Sequence, residues 1–111
     1  MVVETLKITR QRGGNHHPLS VRGFILDHLA ALGEDYISAM HRAYKAELDR
    51  LAQENGRRHR YHKPRYHSFE VSIQVLAREG LIEFSGKEVE SDSPQFRGWN
   101  PKPMRRYYRL K

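Results

Sequence analysis

The stretch Arg57-Arg58-His59-Arg60-Tyr61-His62-Lys63-Pro64-Arg65-Tyr66-His67 holds five Lys/Arg and three His without a single acid. Cations at this density suit a polyanion. Each phosphate neutralised releases condensed counterions and adds roughly 0.9 to the log–log salt slope of binding. Tyr61 and Tyr66 could stack on bases or cover a neighbouring helix. His59, His62 and His67 raise the question of a metal. Zinc takes three or four ligands, the chain has no cysteine, and the surrounding positive charge opposes a dication. The expectation is therefore no metal site and no cofactor. His16-His17 is equally weak as a ligand pair, although it would charge further below about pH 6.5.

A second basic run, residues 97–111, has six Lys/Arg and again no acid. By contrast, residues 20–54 hold six acids against four bases, and residues 80–96 hold four acids against one. The net charge of +7 is thus collected into segments, the pattern of a positive surface facing a polyanion rather than of general solubility. Catalytic signatures are missing: there is no phosphate-cradling glycine loop and no nucleophile elbow, and Asp27, Glu47 and Asp49 fall at ordinary helix surface positions. A binding protein is expected, not an enzyme.

At 111 residues the chain can bury one modest core. No apolar run approaches the roughly 20 residues that span a bilayer, and residues 1–7 lack the pattern of a secretory signal. With cysteine absent, the expected setting is cytoplasmic, at the nucleoid if the partner is DNA.

The elements that must position these charges follow from periodicity. Residues 2–8 alternate as a short strand does, and 9–18, with Arg10, Arg12 and Gly13-Gly14, reads as an arm. Residues 1–18 are therefore set apart from a domain over 19–111. Ser20 is placed to cap a first helix whose apolar face is Val21, Phe24, Ile25, Leu29 and Leu32, stopped by Gly33. A second helix is predicted from Glu34-Asp35 toward Asn55-Gly56, with Ile37, Met40, Tyr44, Leu48 and Leu51 as its stripe. Ser68 reads as the N-cap of a third helix with Phe69, Ser72, Ile73 and Leu76 inward, ending at Arg78-Glu79-Gly80. Leu81-Ile82-Glu83-Phe84 reads as a strand, 85–103 as a loop, and Met104 to Leu110 as a returning strand.

Three helices, the junction Leu76-Ala77-Arg78-Glu79-Gly80-Leu81-Ile82, a polar loop and the strand Tyr107-Tyr108-Arg109-Leu110 together resemble the winged-helix superfamily. The resemblance covers about residues 20–111. It implies an α+β, mostly helical fold: a three-helix core, a C-terminal two-stranded β wing, and a basic insertion between helices 2 and 3. It further implies that the third helix meets a major groove or phosphates through His67, Ser68, Glu70, Gln74 and Arg78. Lys87, Arg97, Lys102, Arg105 and Arg106 would lie by the flanking backbone or minor groove. The chain departs from the pattern in its long 56–67 connection and in the acids Glu70 and Glu79. That shifts the expected affinity onto Arg57, Arg58, Arg60, Lys63 and Arg65 of the connection and onto the wing.

The expected function is a winged-helix DNA-binding transcriptional regulator, with duplex DNA favoured and RNA as the other nucleic acid. The alternative is a winged-helix interaction subunit of a larger ribonucleoprotein, replication or polymerase assembly. In that case Trp99, flanked by Arg97 and Gly98, would grip RNA or protein unless it folds back on the domain. A homodimer through the apolar stripe of the second helix is a third expectation, with no role at a membrane.

Overall fold

A computed structural model describes residues 19–56, 59–91 and 93–111. Residues 1–18, with their predicted strand and arm, lie outside the described residues, as do Arg57 and Arg58. The element order is α1 (Val21–Leu32), β1 (Glu34–Tyr36), α2 (Ile37–Glu54), α3 (Tyr66–Arg78), β2 (Ile82–Glu90), a 3-10 turn (Pro94–Phe96) and β3 (Met104–Leu110). The fold is α+β, with three helices and one antiparallel sheet of strand order β1-β3-β2.

Ser20 Oγ accepts from the Gly23 N–H at 3.1 Å, satisfying one of the free donors at the start of α1. The three helices meet on Ile25 and Leu29 of α1, Met40, Tyr44 and Leu48 of α2, and Phe69, Ile73 and Leu76 of α3. These residues recur at three- and four-residue spacing, so each helix turns one face inward. Ile82 at the start of β2 closes the same cluster. Full burial of such a side chain contributes roughly 1.5–3 kcal/mol, so this cluster is the main source of stability. Tyr44 brings a hydroxyl into the core, and it donates to the Leu19 carbonyl at 2.6 Å. Leu32, expected on the inward face, is instead exposed at the end of α1.

The sheet has three strands where two were expected. Glu34–Tyr36, expected as the first turn of the second helix, pairs with β3 in the register Glu34↔Arg109, Asp35↔Tyr108 and Tyr36↔Tyr107. The gain is three-fold: the pairing satisfies backbone groups, Asp35 accepts His28 Nε2 at 2.7 Å, and Tyr36 packs edge-on against Tyr107. α2 consequently begins at Ile37.

The third helix begins two residues earlier than Ser68 suggests. Arg65 is the N-cap, Phe69 N–H makes the first helical bond to the Arg65 carbonyl at 3.1 Å, and Ser68 sits inside the first turn. At the other end Gly80 (φ +81°) turns the chain so that Leu81 N–H reaches back to the Leu76 carbonyl at 3.0 Å. β2 runs on past Phe84. The Ser85-Gly86 pair, read as the start of a loop, is instead a bulge between Phe84 and Glu88, with Gly86 at φ +94°. Beyond it, pairing resumes at Glu88↔Arg106, Val89↔Arg105 and Glu90↔Met104.

Candidate nucleic-acid interface

With Phe69, Ile73 and Leu76 committed to the core, α3 leaves His67, Ser68, Val71, Gln74 and Arg78 exposed. Arg65 caps this surface at one end and Arg78 at the other. Neither makes an ion pair among the described residues. Glu70 lies 3.7 Å from His67 across one turn, so its charge faces an imidazole on its own helix. Glu79, the other acid at this helix, is taken up by Arg22 of α1 at 2.6 Å.

The basic connection does not stand free of the domain. Lys63 Nζ lies 2.7 Å from Asp49 Oδ1, and Arg60 lies 3.5 Å from Oδ2 of the same carboxylate on α2. The Lys63 ammonium, and then Arg60, hold the Asp49 carboxyl below its usual range. Asn55 donates to the Tyr61 hydroxyl at 3.1 Å, and Tyr61 packs against the core. Where the connection meets α3, buried His41 donates from Nε2 to the Pro64 carbonyl at 2.8 Å. The His41 ring also packs against Tyr66 and Phe69. The described part of the segment, from Arg60 to Pro64, is thus fastened along α2 and leads into the start of α3.

The sheet carries a second set of cations, each beside a carboxylate or an aromatic ring. Lys87 pairs with Glu34 at 3.1 Å and lies 4.3 Å from the Tyr107 ring; Glu34 raises its pKa. Arg106 pairs with Glu88 at 3.2 Å and lies over Phe84, Lys102 stands 4.0 Å from Glu90, and Arg105 covers the Tyr36 ring. Surface pairs of this kind contribute about 0–1 kcal/mol, so a phosphate can take over the cation at small cost.

Between the Tyr66–Glu70–Gln74 face of α3 and the wing lies a groove of about 640 Å³. Arg42, Tyr36, Arg105 and Arg106 line its other side, with Gln95 and Phe96 of the β2–β3 loop over one end. Glu70 and Gln74, which can read base edges, thus line one cleft together with arginines that can hold a backbone. Trp99 does not fold back onto the core. It is 57% exposed and leans on Phe96 of its own loop, ring centroids 5.1 Å apart.

The fold therefore brings Arg65, His67, Ser68, Gln74 and Arg78 onto α3, and Lys87, Lys102, Arg105 and Arg106 onto the adjoining sheet and its loop. Arg97 projects from the β2–β3 loop with no ion pair among the described residues. Arg60 and Lys63 lie along α2. Sequence reasoning missed Tyr36, Arg42 and Gln95. Tyr36 and Arg42 reach the groove only because β1 pairs with β3, a contact across more than 70 residues of chain with no local signature. Arg42 alone left a trace, as a cation lying off the apolar stripe of α2. Among the described residues no cluster of three or more His, Asp or Glu is placed to hold a metal, and no helix is long and apolar enough to cross a membrane. No family model, curated protein or solved structure matches the chain.

Proposed function

We propose that this chain is a nucleic-acid-binding protein of the winged-helix kind, a transcriptional regulator acting on duplex DNA. The observation that carries the reading is the placement of α3. One face is sealed by the core, and the other lies open between Arg65 and Arg78 and beside the cationic strand β3. The element order and the β1-β3-β2 sheet support the winged-helix assignment. A B-form major groove about 12 Å wide admits one α-helix. Seated there, α3 presents Ser68 and Gln74 to base edges, and Arg65, Arg78, Arg105 and Arg106 to phosphates. The protein acts by binding, without a cofactor.

Fluorescence anisotropy with a labelled duplex across salt concentrations tests this. Four to six phosphate contacts give a slope of roughly −4 to −5 in log K against log salt. A flat dependence, or no binding at low salt, overturns the proposal.

A second reading, a subunit of a larger ribonucleoprotein, replication or polymerase assembly, draws on a different observation. Leu32, Leu81 and Leu110 are exposed and gather where β1 and β2 begin and β3 ends. That end of the sheet is opposite the β2–β3 loop. Stronger binding to structured RNA than to duplex DNA would favour this reading. Of the α2 stripe Met40, Tyr44, Leu48 and Leu51, the first three are buried in the core and Leu51 is half-buried.

A further inference from the structure

We infer that Trp99 is a base-stacking contact: a rigid indole, carried at the tip of the wing, that takes the π-face of an exposed nucleobase. The inference rests on the nucleic-acid reading above and adds a specific contact to it.

The β2–β3 loop is built to hold that ring in place. Its neck is closed by Ser91 N–H donating to the Pro103 carbonyl at 2.9 Å. Inside the neck, Phe96 N–H bonds the Ser93 carbonyl at 3.0 Å, Arg97 N–H bonds Pro94 at 3.1 Å, and Trp99 N–H bonds Phe96 at 3.1 Å. Phe96 then supports the indole from one side in an edge-to-face contact. A braced loop with Phe96 against the indole restricts the ring before any partner arrives, which favours stacking.

What the ring is held for follows from its exposure and its surroundings. More than half of the Trp99 surface meets solvent. A tryptophan spent on loop stability alone would turn its large apolar face inward. From Ser93 to Lys111 the chain carries six Lys/Arg and no acid. Arg97, two residues from Trp99, is without an ion pair among the described residues, and Lys102 stands at the long limit of one. An aromatic platform flanked by cations is the arrangement by which proteins hold a nucleobase and its phosphate together. An apolar protein surface would not call for this charge.

Trp99 is the only tryptophan in the chain, so its own emission reports the contact. The full chain is titrated with a single-stranded oligonucleotide, a duplex bearing an unpaired overhang, and a blunt duplex, with inorganic polyphosphate as a charge-only control. Binding is followed in parallel by anisotropy of labelled DNA. The expected result is strong quenching by oligonucleotides but not by polyphosphate. Trp99→Ala should then bind roughly five- to a hundred-fold more weakly, and Trp99→Phe should recover most of the loss. Quenching by the overhang and the single strand alone identifies an unpaired base as the partner. Quenching by the blunt duplex as well identifies stacking at an end or an opened step. Binding with unchanged emission overturns the stacking contact and leaves the nucleic-acid reading standing. Absence of binding to all three DNAs overturns both. The emission measurement needs no mutant, so it stands even if Trp99→Ala disturbs the loop.

Discussion

Lys63 Nζ lies 2.7 Å from the Asp49 carboxylate, which places part of the linker's positive charge against a carboxylate of the domain itself. Arg60 shares the same partner. A segment that looks in sequence like an open cationic arm is therefore partly self-neutralised. Asp49 occupies these cations as a phosphate would. Replacing it with Asn should free both side chains, steepening the salt slope of DNA binding by up to about two units while leaving the helical core folded. Anisotropy at several salt concentrations, with circular dichroism as the control for folding, measures this. An unchanged slope would mean that Arg60 and Lys63 never reach the backbone.

The same pair has a pH signature. Lys63 and Arg60 depress the folded-state pKa of Asp49. The linker clasp is thus fully present above the ordinary carboxylate pKa and is lost only as pH falls below it, through the depressed value. Chemical shifts of the Asp49 carboxyl and the Lys63 side chain, followed by NMR from pH 7 downward, should move together at a midpoint below that of a free aspartate.

Tyr44 gives the opposite limb. Burial raises its phenol pKa, and its hydroxyl donates to the Leu19 carbonyl. The folded state holds this proton more tightly than the unfolded state does. The resulting stability is complete below about pH 10 and fades as pH rises through the raised folded value. Tyr44→Phe should cost about 1 kcal/mol at neutral pH through the lost hydrogen bond. It should also flatten the alkaline part of the stability curve. Urea unfolding at pH 7, 9 and 10.5 would show both effects.

The parts of this fold that were legible in sequence were those decided locally. Ser20 as a cap, the Phe69–Ile73–Leu76 stripe and the Gly80 turn each depend on neighbours within a few residues, and each was predicted where it occurs. β1 was not legible, because Glu34-Asp35-Tyr36 has no strand pattern. It is extended because β3 offers it backbone partners. The start of α3 was misplaced for a related reason. A good capping residue, Ser68, lost to the tertiary anchoring of Pro64 by His41, which sets where the helix can begin. The cations were found by composition. Composition is blind to which of them meet a carboxylate, so the clasp on Asp49 and the Lys87–Glu34 pair emerged only in three dimensions.

His41 is the fastening whose loss should disconnect the basic segment from the start of α3. His41→Phe keeps an aromatic ring against Phe69 but leaves the Pro64 carbonyl without its donor, at a cost of about 1–3 kcal/mol. His41→Ala removes the packing as well and should cost more, toward the range seen for cavity formation. Hydrogen exchange should localise the loosening to residues 59–67 in the Phe variant. Uniform loosening of all three helices would instead make His41 a core residue and nothing more.

Arginines on α3 and cations on the wing differ in how freely they can meet a phosphate. Arg65 and Arg78 bracket α3 without ion pairs among the described residues, whereas Lys87 and Arg106 already sit beside Glu34 and Glu88. A free cation gives its whole attraction to a phosphate; a paired one must first leave its carboxylate. Arg65→Ala and Arg78→Ala should each weaken binding to every duplex alike and reduce the salt slope by about 0.9. Lys87→Ala should reduce it by less. Glu70→Gln removes a charge that repels phosphates while keeping a group that can still read a base edge, so binding should tighten at low salt. If Glu70 accepts from a cytosine amino group, the same change relaxes preference at that base pair, by up to about 1–3 kcal/mol of discrimination. Competition between duplexes differing at single positions distinguishes the two roles. Tightening without altered preference places Glu70 beside the backbone, and altered preference places α3 in the groove.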